Sequence, residues 1–164
     1  MRLKRSRPAV TVGRGESLLA WAASDDGRVV AGTRDAVYLD GARLPWEDVE
    51  AADWDRETDR FRLSEVGAWG EVRAEHVFTI AEPGRLLELV RERVTASVVL
   101  QRHVPVTGRH GLRVIARRAP RGDRPVRWFY EYDEGVDPDD PAIRDLARAA
   151  LREAQAEVGL DQLP

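Results

Sequence analysis

The chain has 164 residues, 43% of them hydrophobic, no cysteine, and 29 acidic against 26 basic residues for a formal net charge of −3. That length fits about one domain of roughly 100 to 200 residues and buries enough surface to need neither disulfide nor metal staples; the missing cysteines also exclude thiolate zinc sites and cysteine nucleophiles. No window approaches ~18 apolar residues, and no apolar core follows the basic start MRLKRSRP, so neither membrane spanning nor secretion is expected and a cytoplasmic place is the default.

In chain order, residues 1–14 read as a flexible basic lead-in with nothing apolar to bury. SLLAWAA (17–23), RVVAGT (28–33) and AVYLD (36–40) are short apolar runs separated by SDDG and RD, which have hairpin-turn composition, so three short strands are expected. Residues 44–54, LPWEDVEAADW, open on a proline suited to an edge or corner and continue as a strand with a bulge, because their apolar positions do not alternate cleanly. RFRLSEV (60–66) alternates with Phe61 and Leu63 on one face, and HVFTI (76–80) repeats the pattern with Phe78 and Ile80 inward. After Pro83, placed in a first helical turn, Leu86, Leu87, Val90 and Val94 fall on one helical stripe.

From Ser97 the chain becomes β-branched and predicts a strand, VVLQRHVPV, a turn at TGRHG, a return strand LRVIARR, a loop APRGDRP and a third strand VRWFYEY. Asp140 before Pro141 is an N-cap followed by proline at the first helical position. Ile143, Leu146, Ala147, Ala150, Leu151, Ala154 and Val158 then recur at helical spacing up to a stop at Gly159. The expectation is an α+β protein: a strand-rich lobe over 15–97 capped by a helix, then a three-strand meander with a C-terminal helix over 98–164, docked on the first.

Strands forming a small antiparallel barrel or bent sheet closed by one amphipathic helix, over residues 16–97, resemble the bacterial pleckstrin-homology-like fold. The stretches GTRDAVYLDGARLPWEDVEAADWD and RERVTASVVLQRHVPVTGRHGLRVIARR are also similar to a family of short actinobacterial proteins, a likeness that spans nearly the whole chain and implies no activity. Members of the pleckstrin-homology fold that bind phosphoinositides carry clustered cations in the first hairpin loop. Here that loop is Ser24-Asp25-Asp26-Gly27-Arg28, whose carboxylates repel an anionic head group. The resemblance also implies a second mode, binding of peptides or proteins along a strand edge and the capping helix.

The segment 101–130 holds Arg102, Arg109, Arg113, Arg117, Arg118, Arg121, Arg124 and Arg127 against Asp123 alone, while 131–164 holds ten acids against three arginines, so a charge of +7 is followed by −7. With Leu112, Val114 and Ala116 inward, Arg113 and Arg117 point outward, where Glu131 and Asp133 on the adjoining strand meet them. Neutralisation within the chain is the favoured reading. The alternative is a nucleic-acid-binding module using Arg109, Arg113, Arg117, Arg118, Arg121 and Arg124, with Trp128, Phe129 and Tyr130 beside them for stacking. Against it, the chain carries no basic excess, and Trp128, Tyr130 and Tyr132 share one strand face, as core packing under the last helix requires.

Other candidates for chemistry fail on spacing. His76, His103 and His110 have no second histidine or carboxylate at metal-ligand spacing, and no serine sits in a glycine-flanked elbow. Asp53, Asp55, Glu57 and Asp59 alternate like the start of a calcium loop, but Thr58 and Ser64 stand where glycine and glutamate are required. A solvated hairpin turning near Arg56 to Asp59 is expected instead. Gly13, Gly15, Gly67 and Gly70 compose no phosphate loop, and Arg121-Gly122-Asp123 reads as a turn. Neither an enzyme nor a cofactor is expected, but a non-catalytic protein that recognises a protein or peptide partner, with Trp46, Trp54 and Trp69 as candidate exposed anchors. The small-residue face Ala147, Ala150 and Ala154 is either a homodimer contact or, preferably, a surface packed on its own sheet.

Overall fold

A computed structural model describes residues 7–67, 73–122 and 124–159. The protein is α+β; the described residues form three antiparallel sheets and two helices, in the expected order of strands, helix, three strands and helix. The described residues fall into two compact units. One comprises residues up to Gly67, Arg73 to Ala96, and Ala119 to Arg121; the other comprises Ser97 to Arg118 and the chain from Gly122.

In the first unit β1 (Ala20–Ala23), β2 (Val29–Gly32), β3 (Ala36–Leu39) and β4 (Ala42–Pro45) pair in chain order as an antiparallel meander. β3 is buried at every position, including Ala36, Val37, Tyr38 and Leu39, because both faces of this sheet are covered. A strand covered on both sides shows a continuous apolar run instead of alternation. On one face lies the main core, and on the other Val10, Val12 and Leu18 pack with Trp21 and Val29 against Ala31, Ala36 and Tyr38. Val10 and Val12 thus do find apolar surface to bury, a role that their polar neighbours conceal.

The stretch 44–54 is not one strand. β4 ends at Pro45, a 3-10 turn runs over Trp46–Asp48, and β5 (Val49–Asp55) begins a different sheet, with the expected bulge between Val49 and Ala51. Pro45 has no N–H to donate, and at the edge of the four-stranded sheet it ends β4 at a corner. β5, β6 (Arg60–Glu65) and β7 (Glu75–Thr79) pair in that order. Phe61 and Leu63 of β6 and Phe78 of β7 face the core as predicted.

α1 (Leu86–Ser97) closes this unit with Leu86, Leu89 and Val90 buried and with Leu87 and Val94 half-buried against the same core. Pro83 lies outside the helix: Gly84 has φ +55°, a left-handed conformation that no right-handed helix can include, so the first turn starts two residues later. Leu89, absent from the predicted stripe, covers Gly32, where an added Cβ would come within 2.6 Å of the leucine side chain.

In the second unit β8 (Val98–Thr107), β9 (His110–Arg117) and β10 (Arg127–Tyr132) form a sheet of order β10-β9-β8, and α2 (Pro141–Val158) packs on β8 and β9. The Asp140 side chain accepts the Ala142 N–H at 2.9 Å and caps the helix. Ile143, Ala147, Ala150 and Ala154 are buried over Leu112 and Val114, with Trp128, Tyr130 and Tyr132 packed round them. The alanine face is therefore covered by its own sheet, which removes it as a homodimer contact. The aromatic strand face does the core packing expected of it.

Two substitutions test this packing. Trp46→Ala empties the centre of the first unit's core and should cost about 3 to 5 kcal/mol of unfolding free energy in urea melts. Ala150→Leu forces α2 off its sheet and should cost about 1 to 3 kcal/mol by the same measurement.

Candidate functional site

A groove runs beside β5. In the sheet β5-β6-β7 that strand is at one end, and among the described residues no other strand pairs with its outer edge. Alternation sends Ala52 and Trp54 toward the core and leaves Ala51, Asp53 and Asp55 exposed. α1 lies across the inward face, and strand and helix enclose a space of 390 Å³ lined by Ala52, Trp54, Phe61, Leu87, Val90 and Val94, with Asp53 and Arg91 also at its wall. The result is an apolar trough alongside a row of backbone groups with no neighbouring strand.

Of the three tryptophans proposed as anchors, the structure brings only Trp54 to this groove. Its indole N–H donates to the Ile80 carbonyl at 3.0 Å, which fixes the ring while part of it stays accessible. Trp46 is 0% exposed and its indole N–H donates to the Thr33 carbonyl at 2.9 Å, so it offers a partner nothing. It is a core residue, needed where the chain passes from one sheet to the next. Trp69 lies outside the described residues.

The arginines of 101–130 do not act as a set. Arg113 stands opposite Glu131 in the β9–β10 register and reaches its carboxylate at 3.6 Å and that of Asp133 at 4.0 Å. Arg102 pairs with Glu153 and Glu157 of α2. Arg117, expected to point outward, is 5% exposed, because both faces of β9 are buried at that end. Arg121 belongs to the other unit and holds Asp35 through two bonds of 2.6 and 2.5 Å. Its hydrogen bond, against a smaller opposing effect of burial, keeps the Asp35 carboxyl below the usual aspartate range. Arg109 and Arg124 are exposed and Arg118 is half-buried, and none of the three makes an ion pair among the described residues. Arg127 lies over the Phe129 ring at 5.5 Å.

His76 Nε2 is 2.8 Å from Glu65 Oε2 and His103 Nε2 is 3.5 Å from Asp133 Oδ2, while His110 is exposed. The Gly111 N–H, then His103 and Arg113, outweigh burial to hold the Asp133 carboxyl below its ordinary value. No group of three or more metal-ligating side chains gathers among the described residues. Asp55 accepts the Glu57 N–H at 2.8 Å in the turn of the β5–β6 hairpin, as a solvated turn would have it. In the first hairpin loop Asp26 pairs with Arg28 at 2.7 Å, so the one cation there is already engaged.

Sequence reading missed a polar clamp. The Glu16 side chain, 5% exposed, accepts from Thr33 Oγ1 at 2.7 Å, Tyr38 OH at 2.9 Å and Arg43 Nε at 3.1 Å. Tyr38 OH in turn accepts the Gly13 N–H at 2.7 Å, and a Cβ on Gly13 would fall 2.0 Å from Glu16 Oε2, so a side chain there would displace the Glu16 carboxylate. The clamp fastens the N-terminal segment to β3 and β4. Burial pushes the Glu16 carboxyl up, but the three hydrogen bonds and the Arg43 charge together bring it below its ordinary 4.5. Nothing local to residue 16 signals these contacts, whose partners lie in the β2–β3 turn, β3 and β4.

Comparison with known proteins finds no matching family model, no matching curated protein and no matching solved structure.

A carboxylate whose folded pKa is depressed stabilises the fold above its unfolded value and ceases to do so as pH falls through the folded value. Glu16→Gln should therefore be less stable than the wild type near pH 7 by about 1.5 to 3 kcal/mol, the range for hydrogen bonds to a charged group. The gap should narrow below pH 4.5. Urea melts of both chains at pH 7 and pH 3 measure it.

Proposed function

We propose that this protein is a non-catalytic binding module that takes up an extended segment of a partner protein along the outer edge of β5, seating alternate side chains of that segment in the trough under α1. The observation that carries the reading is the coincidence of an edge strand with an apolar groove on the side of that same edge. Strand addition uses these two features together: the edge supplies main-chain hydrogen bonds, and pockets for every second side chain supply selectivity. An edge strand beside exposed apolar surface is also a liability in a monomer, which a dedicated partner removes. On this reading residues 15–97 are a pleckstrin-homology-like module using the strand edge and capping helix. Trp54 would be the floor of the groove.

Polyphosphate recognition has less support. Arg102, Arg113 and Arg121 are engaged by carboxylates and Arg117 is buried, which leaves few guanidinium groups to track a phosphate backbone.

The test is selection from a random peptide library, followed by hydrogen exchange of the complex. Selected peptides should slow exchange in β5 and α1. Thr95→Trp, at an exposed wall position of the groove, should weaken them about tenfold or more while leaving the melting temperature within a few degrees. Protection centred on β8–β9 instead, or no selected peptide, would refute the proposal.

A further inference from the structure

The charges on the outer face of the β5–β7 sheet say what kind of segment would fit. On β7 stands Glu75; on β6 stand Arg60 and Arg62; on β5 stand Asp53 and Asp55, all exposed. The register puts Asp53 opposite Arg62 and Asp55 opposite Arg60, so carboxylates on β5 face guanidinium groups on β6, while Glu75 stands opposite Ser64, diagonal to Arg62. The ladder is not closed at its β5 end. Arg62 turns to Glu75, with Nε 2.8 Å from Oε1, and among the described residues Asp53 makes no ion pair. Glu50, further along β5, is taken by Arg73.

From this ladder, and resting on the proposed binding mode, we infer that the partner segment is basic at alternate positions, with lysine or arginine opposite Asp53 and Asp55 and apolar side chains at the positions between. A strand laid beside β5 continues the row, and cross-strand neighbours of opposite charge attract while like charges repel. The apolar lining of the groove, Ala52, Trp54, Phe61, Leu87, Val90 and Val94, sets the other half of the pattern. A cation seated there would lose its hydration, which restricts the basic residues to the outward face. The same ladder argues against a second copy of this chain as occupant, because two β5 edges set side by side would bring Asp53 and Asp55 against the like-charged residues of their mate. Period-two alternation of basic and apolar residues fits one register, since a slip by one residue places cations in the trough and apolar groups in water.

The test uses the full chain and four capped nine-residue peptides: alternating lysine and valine, alternating glutamate and valine, alternating threonine and valine, and lysine and valine in two separate blocks. The alternating lysine peptide should bind about tenfold tighter than the threonine and glutamate peptides at low salt, an advantage that shrinks as salt screens the exposed pairs. Asp53→Lys should reduce that preference about tenfold without moving the melting temperature by more than a few degrees. Equal affinity for the threonine or the block peptide, or an unchanged preference in Asp53→Lys, would overturn the basic, alternating partner. The groove itself would still stand in that case, provided Thr95→Trp removed whatever binding was seen. Failure of all four peptides would overturn the groove reading as well. A dimer of the protein alone, seen by sedimentation and dispersed by peptide, would replace the basic segment with a second copy.

Discussion

The passage from Pro45 to Val49 is the constraint on which the first unit depends. Pro45 ends the four-stranded meander, a single 3-10 turn redirects the chain, and the next strand starts a second sheet. The turn holds because Trp46 sits at the middle of the core, with its indole N–H on the Thr33 carbonyl, in contact with groups from both sheets and α1. A buried indole without a partner would cost on the order of 1 to 3 kcal/mol, so the Thr33 carbonyl is as necessary as the space. The open end of the second sheet follows from that redirection. β5 becomes the end of its sheet instead of the fifth strand of the first, and its outer edge lies beside the helix that covers the core.

Two devices secure the outer face of the meander and the loop between β2 and β3. The Glu16 clamp draws the N-terminal segment across the outer face of the meander, where Val10 and Val12 complete a small apolar cluster. The Arg121–Asp35 pair attaches a three-residue piece of the later chain to the loop between β2 and β3. Both contacts are long-range in sequence, and both use charge-assisted hydrogen bonds, which are shorter and stronger than neutral ones. On β5, Glu50 is held by Arg73, while among the described residues Asp53 makes no ion pair. β5 differs from the other end strands in the apolar groove that lies between it and α1.

The second unit is simpler. Its sheet carries tyrosine and tryptophan on the face under α2, and the helix answers with alanine, so large side chains from the sheet fill the space that small ones on the helix leave. Burial raises the Tyr130 and Tyr132 hydroxyls above their ordinary range, as expected of phenols held beneath a helix. Arg113 with Glu131 and Arg102 with Glu153 and Glu157 join the basic run to the acidic one, while Arg109, Arg118 and Arg124 make no ion pair among the described residues.

Periodicity was enough for what depends on one element at a time. The strands at 29–32, 36–39, 60–65 and 75–79, the α2 cap at Asp140, the inward stripe of alanines and the pairing of Arg113 with Glu131 all follow from local spacing and turn chemistry, because burial on one face imposes a period of two or 3.6. What periodicity could not distinguish was Trp46 from Trp54: both flank the same acidic run, yet one is in the core and the other beside an open groove. The break at Pro45 assigns them, and its effect depends on the Thr33 carbonyl and on the core cluster that Trp46 shares with Phe61 and Leu86, all assembled only by folding. The clamp at Glu16, the cover provided by Val10 and the open edge of β5 are likewise properties of neighbours far away in sequence. A chain pattern records which face of an element is buried; only the tertiary structure decides what lies against it.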